Sequence, residues 1–205
     1  MSLRKISTQK QNHPKLGDTI RVGPIREKKD VQAIKQLLAG HPRNLALFTT
    51  GINTNLRPSD LLRIPLASIK DLKLGDSFEL REKKTAKIRR VTINKASHKA
   101  IRDYLKVRPK TKDEAPLFVA EVRPYKALSV NYLHHLVKQW CELINLKGNY
   151  GAHSLRKTFG YHHRVYFGTD IPTLMIAFNH STQRQTLGYL GIESSDVHQA
   201  FLQEI

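Results

Sequence analysis

The sequence predicts a mainly helical domain with one small antiparallel β-sheet, an α+β fold. Three observations lead there. Apolar residues recur at helical spacing along most of the chain, the period switches to alternation once, between Leu66 and Asn94, and no glycine-rich strand-to-helix turn occurs anywhere. The last of these argues against a dinucleotide-binding or P-loop fold. With 205 residues, 40% of them hydrophobic and 25% charged, the chain has the material for one packed domain.

Residues 1 to 25 are polar and broken by Pro14, Gly17, Gly23 and Pro24, which reads as an arm or linker remnant. The first helix carries Val31, Ile34, Leu37 and Leu38 on one face, with Asp30 as its expected cap and Gly40-His41-Pro42 as its stop. A second helix starts at Pro42 and carries Leu45, Leu47 and Phe48 as far as Gly51. Asn53, Asn55 and Pro58 then interrupt the pattern, and Ser59 is expected to cap a short turn at Asp60-Leu61-Leu62. Phe78 to Arg81 and Ile88 to Ile93 read as two strands, which the basic segment Glu82 to Lys87 joins into a hairpin with a lysine-rich tip. Helical spacing returns at Ala96, Ala100, Ile101, Tyr104 and Leu105 and gives way to a loop from Arg108 to Pro116. Ser129 next caps a helix through Val130, Leu133, Val137, Trp140 and Ile144 that Lys147-Gly148 ends. Three further helices are expected: 153–167 closed by Gly168, 172–178 begun by Asp170 and Pro172, and 181–190 capped by Ser181. Ser195 to Ile205 reads as a short amphipathic helix with Val197 and Phe201 on one side.

Lys and Arg number 35 against 17 Asp and Glu, a formal charge of +18. Self-repulsion at that level opposes compactness unless a polyanion offsets it, so nucleic acid is the expected partner. A ribosomal-type binder, a basic membrane-facing patch and a solvated basic surface are the blander alternatives. The single cysteine, Cys141, excludes an internal disulfide and a cysteine-based zinc cluster, and fits a small buried hydrophobe in a reducing compartment. The longest apolar runs, Leu45 to Phe48 and Leu174 to Phe178, fall far short of the ~20 residues of a membrane span. Arg4, Lys5, Lys10 and Lys15 leave no apolar stretch for a signal peptide, so a cytoplasmic protein is expected. His134-His135 and His162-His163 look like metal pairs, but adjacent helix residues face different ways and no further ligands are suitably spaced. No metal is expected.

The residues with chemistry come in a definite order. Leu56-Arg57-Pro58-Ser59-Asp60-Leu61 places an arginine in a helix-breaking turn ahead of an acid, and Lys83, Lys84 and Lys87 follow near the hairpin tip. His153-Ser154-Leu155-Arg156 puts an imidazole and a guanidinium on neighbouring positions of one helical face, where both reach one anionic group. Asn179-His180 precedes a helix cap, and Tyr189 follows nine residues after the histidine. Singly each reads as a solvated side chain or a surface turn. Their succession is the signal.

That succession resembles the catalytic domain of the tyrosine recombinases, the phage integrase and Xer family, over about residues 26 to 193. The family's His-x-Leu-Arg-His-x-Phe segment is matched by His153-Ser154-Leu155-Arg156-Lys157-Thr158-Phe159, its Leu-Gly-His-Ser by Phe178-Asn179-His180-Ser181, and its nucleophile by Tyr189. Its Leu-Arg-x-x-Glu-Leu turn is matched by Leu56 to Leu61, with Asp60 for the glutamate. Asn179 stands where the family usually has glycine, and asparagine is the next residue most tolerant of a left-handed backbone. A larger departure lies ahead of residue 26, where most members carry a separate DNA-clamping domain. The tip from Glu82 to Lys87 resembles the Ser-Lys-Thr-Gly tip of some phage integrases, a register that selects Lys84.

Residue chemistry suits strand cleavage by that route. A phenol attacks a phosphodiester, charge builds on the non-bridging oxygens, and a 5′-hydroxyl leaves with a proton. Tyr189 is the expected nucleophile and His153 the base that takes its proton. Arg57 and Arg156 are the planar forks on the phosphate, His180 adds a hydrogen bond, and Lys84 is the acid for the leaving oxygen. Asp60 is expected to orient an arginine or buttress the turn. The resemblance implies a 3′-phosphotyrosyl intermediate, no metal or nucleotide cofactor, double-stranded DNA as partner, a homotetramer on paired sites, and a tail at 194–205 that docks on a neighbouring protomer. Rival readings are a type IB topoisomerase-like relaxing enzyme and a catalytically silent DNA-binding module of the same fold.

Overall fold

In the computed structural model, which describes residues 22–191, 198 and 201–204, three helices come first: α1 (Lys28–Leu37), α2 (Pro42–Thr54) and the single turn α3 (Pro58–Leu61). After a 3-10 turn at Leu66–Ser68 follow the hairpin strands β1 (Ser77–Arg81) and β2 (Ile88–Thr92). The rest is α4 (Lys95–Val107), α5 (Val130–Leu143), α6 (Ala152–Val165), α7 (Ile171–Phe178) and α8 (Gln183–Leu190). This is the mainly helical, one-hairpin architecture the sequence predicts.

Helix α2 runs through the core. Its Ala46, Leu47 and Phe48 are fully buried, it packs against both α4 and α6, and Phe48 meets Trp140 of α5 edge-on at 5.9 Å. The expected stop at Gly51 is overridden, because Gly51 is the point of closest approach to α6. A Cβ there would lie 2.6 Å from Leu155 Cδ1 and 3.2 Å from Leu61 Cδ2. Contact, not helix ending, explains that glycine. The helix stops instead at Asn55, which takes up a left-handed conformation with φ 54°.

Several expected caps move by a residue or more. Helix α1 begins before Asp30, which lies in its first turn, since the extended Glu27 carbonyl already accepts the Val31 amide. Ser59 falls inside α3, because Pro58 is preorganised for the first helical position and leaves Arg57 as the flanking residue. Thr182 rather than Ser181 caps α8, its hydroxyl accepting from the Gln185 amide. Helix α5 ends at Leu143, and its chain reverses at Asn145 with φ 57°, short of Gly148. Ser129 and Asp170 do cap α5 and α7 as read.

In the hairpin, Ser77 pairs with Thr92 and Arg81 with Ile88, so Phe78 and Val91 stand opposite one another on the buried face. Residues 82–87 form a turn in which Ala86 N–H donates to Glu82 O and Glu82 N–H to Lys87 O. The tip is therefore no extension of the strand, which ends at Arg81. A second small core of Leu174, Phe178 and Leu190, with Phe159 and Tyr189 against it, ties α7 and α8 to α6.

The chain reaches α1 by crossing the body. Gly23 N–H donates to Asn149 O, Ile25 is fully buried, and the Arg26 guanidinium donates to Gly191 O just after α8. The earlier part of the expected arm, to residue 21, and most of the expected tail helix, Val197 included, lie outside the described residues. Phe201 and Leu202 are exposed. Among the described residues no helix is long and apolar enough to cross a membrane.

Gly51→Ala tests the α2–α6 approach. Overpacking of about 1–3 kcal/mol outweighs the gain of up to ~1 kcal/mol in helix propensity. Urea unfolding should therefore show a net loss, while Gly40→Ala, where a Cβ meets nothing within 4 Å, should leave the midpoint nearly unchanged.

Candidate active site

The site is assembled around a buried cation. Arg156, on α6, has no exposed surface, and its guanidinium donates to Asn55 O at 2.7 Å and to Phe178 O at 2.8 Å. Those carbonyls lie at the C-terminal ends of α2 and α7, where the backbone carries partial negative charge. Burial, and then the neighbouring charges of Arg89 and Arg57, lower its pKa to about 9, so it stays cationic at neutral pH. Its Cζ sits 5.0 Å from the centre of the Phe178 ring and 5.5 Å from that of Tyr189.

Beside it a second buried charge gathers the hairpin. Glu82, 1% exposed, accepts at Oε2 from Thr85 Oγ1 (2.6 Å) and Asn179 Nδ2 (3.1 Å), and the same oxygen is ion-paired with Arg57 Nη1 at 2.7 Å. Its Oε1 accepts from Arg89 Nη1 at 3.2 Å, and Arg89 in turn donates to Ala177 O at 2.6 Å. Burial by itself pushes the carboxyl up. The hydrogen bonds from Thr85, Arg57 and Asn179, with the charge of Arg57, outweigh it and hold the pKa at about 2. Asp60, the other buried acid, accepts the Lys83 amide at 2.9 Å, so what it buttresses is the hairpin tip rather than its own turn.

Arg57, Lys84, His180 and Tyr189 line one open cavity of about 500 Å³, with Lys87 beside them. The His180 ring stacks on Phe178 and lies 5.0 Å from the Tyr189 ring, while its Nδ1 meets Thr186 Oγ1 at 3.1 Å. Burial, then Arg156, Arg57 and Arg89, lower its pKa to about 4. It is neutral at pH 7. When the Thr186 hydroxyl donates to Nδ1, the ring proton sits on Nε2, the tautomer that can donate to an anion. Gly160 keeps this stack in place, for a Cβ there would come within 2.6 Å of Phe178 Cζ.

Of the six residues the sequence singled out, Arg156 thus lies under Tyr189 and four others wall the cavity. His153 stands apart: it is exposed on α6, one turn before Arg156, and is not among the cavity-lining residues. Crowding by protein around its ring, then the charges of Arg156, Lys157 and Arg57, lower its pKa and leave it neutral at pH 7. Among the described residues no three His, Cys, Asp or Glu side chains come together as metal ligands. Burial pushes the Cys141 thiol up to about 12.

Glu82, Arg89 and Thr186 escaped the sequence reading. A signal existed for Arg89: it lies two residues before the buried Val91, on the face of β2 that turns inward. Glu82 was legible only as one acid among three lysines. Cations and a phenol walling one cavity suit the binding of a phosphate diester.

The model of the Phage integrase family matches residues 26–194. The probable integrase/recombinase YoeC of Bacillus subtilis (strain 168) is 36% identical over 182 residues, which cover 88% of this chain and 95% of YoeC. Tyrosine recombinase XerC of Caldanaerobacter subterraneus subsp. tengcongensis is 37% identical over 161 residues, 77% of this chain but only 44% of that protein. Among solved structures, XerA recombinase superposes with a TM-score of 0.72 at 19% identity, covering 94% of this chain and 66% of XerA. XerH site-specific recombinase bound to palindromic difH substrate, a post-cleavage complex, gives 0.70 at 18%, covering 89% and 53%. The fold is that of these recombinases.

The Glu82 cluster makes stability depend on acid. Its folded pKa of about 2 lies below the ordinary 4.5, so its contribution is complete above about 4.5 and is lost as pH falls through 2. That contribution is on the order of 3 kcal/mol. In urea unfolding, the gap between wild type and Glu82→Gln should close as pH drops from 4.5 to 2. A gap that does not change with pH would show that the carboxylate is not held as its charged form.

Proposed function

Because the chain belongs to the phage integrase family, we propose that it cuts and rejoins double-stranded DNA at specific sites through a covalent 3′-phosphotyrosyl link. The observation that carries this reading is the common cavity of Arg57, Lys84, His180 and Tyr189, with Arg156 beneath it. The Tyr189 oxygen attacks phosphorus, the bond to the 5′ oxygen breaks, and that oxygen leaves with the proton of Lys84. Arg57, Arg156 and the neutral His180 take up the charge that grows on the non-bridging oxygens. His153, neutral at pH 7, accepts the phenolic proton once DNA is seated, although the free protein does not set it on the cavity wall. The phosphotyrosyl bond keeps the energy of the broken one, so a 5′-hydroxyl reverses the attack without metal or nucleotide.

Residues 26–193 form the catalytic unit in this reading. The protein acts in the cytoplasm as a homotetramer on paired sites, with residues 194–205 passing to a neighbouring protomer. Support for the last step comes from Phe201, which leaves 84% of its surface exposed in the single chain.

Tyr189→Phe should bind DNA nearly as wild type does and form no adduct with a nicked suicide substrate in denaturing electrophoresis. An adduct from the Phe variant would move the nucleophile elsewhere, to Tyr161, Tyr166 or Tyr150. Wild type that binds with a steep salt dependence yet never forms an adduct would be the silent binding module instead.

Lys84 is tested through its leaving group. A substrate with sulfur at the bridging 5′ position needs no proton on departure, so Lys84→Ala should cleave it almost normally and the ordinary substrate poorly. Equal defects on both would reduce Lys84 to a phosphate contact.

A further inference from the structure

Four segments meet at the Glu82 carboxylate: Arg57 from the turn before α3, Thr85 from the hairpin tip, Arg89 from β2, and Asn179 from the end of α7. We infer that Glu82 is the positioning residue of the site, its buried carboxylate locking Arg57 and the tip that carries Lys84 into one geometry. The inference rests on the strand-cleavage reading above, since only that reading gives Arg57 and Lys84 a shared task.

Charge is what the position requires. Arg57, Arg89 and Arg156 lie close enough that the other two lower the pKa of Arg156, and three guanidiniums left alone would repel one another. An anion between Arg57 and Arg89 removes that repulsion, and it survives burial only because both its oxygens are engaged. Arg57 keeps its place on the cavity wall while ion-paired, so the pairing fixes its direction without withdrawing it. The bond from Thr85, the residue after Lys84, ties the tip to the same carboxylate. Asp60 does not share this work, because it holds the tip by the Lys83 amide. One acid thus anchors the tip backbone, and the other sets the arginine and the lysine relative to each other.

The test is a double-mutant cycle on single-turnover adduct formation at saturating DNA. Glu82→Gln keeps the shape and removes the charge. It should slow adduct formation about 10²-fold, the scale of a misplacement near 1 Å, with DNA affinity unchanged. Combined with Arg57→Ala it should slow the reaction by less than the product of the two single effects, because the share of the Glu82 role that acts through Arg57 is already gone and only the share that acts through the Lys84 tip remains. Glu82→Asp, which keeps the charge but shortens the reach, should also be slow, and it carries the test should the Gln variant melt below the assay temperature. A rate within twofold of wild type for the folded variant, or additive effects in the cycle, would overturn the inference. A second readout does not depend on cleavage. In side-chain nitrogen NMR of the full chain, the Arg57 Nη protons should be resolved and slowly exchanging, and should collapse to fast exchange in Glu82→Gln. If wild type forms no adduct, the recombinase reading fails, while unchanged Arg57 signals in Glu82→Gln would sink the positioning role on its own.

Discussion

A guanidinium with no access to water has to be neutralised by the protein, and that requirement organises this molecule. Arg156 meets it with the carbonyl ends of two helices rather than with a carboxylate. Both α2 and α7 must then finish against the same side chain, and both do so through a left-handed asparagine, Asn55 and Asn179. Asn55 adds its own bond to Ala177 O, so the two helix ends also hold each other. The hairpin enters this arrangement through Arg89, which shares the Ala177 carbonyl. Removing the cation would leave carbonyls of two helix ends without donors in a place that water does not reach, a cost well above that of a lost surface contact.

Much of this was legible in the sequence because it rests on local rules. Ser129 and Asp170 cap helices wherever they precede an apolar period, and Phe78 with Val91 betray the hairpin by alternation. Tyr189 and His180 were found by spacing along the chain, and α8 is short enough that spacing translates into proximity. What escaped was decided by packing at a distance. Gly51 looked like a stop because its role depends on Leu155, far along the chain, and Glu82 looked like a bystander because its four partners come from four segments. His153 was read correctly as a neighbour of Arg156 on one face, yet periodicity does not say which side of that face a cavity opens on.

The large positive charge is handled in two ways within one structure. On the surface, lysines such as Lys99 and Lys106 share Asp103 and otherwise face solvent, where such pairs contribute little. Inside, the cations are arginines whose terminal nitrogens meet backbone carbonyls and Glu82. The division follows from chemistry: a planar fork can be satisfied by fixed acceptors, whereas a strongly hydrated ammonium is better left in water.

The Arg26 bond to Gly191, and the seat of Gly191 against Pro24, bring the two ends of the described body together. Gly191 itself is left-handed with φ 66°, and it lies two residues beyond Tyr189. The entry to the described body and the exit from α8 thus share one anchor, two residues along the chain from Tyr189.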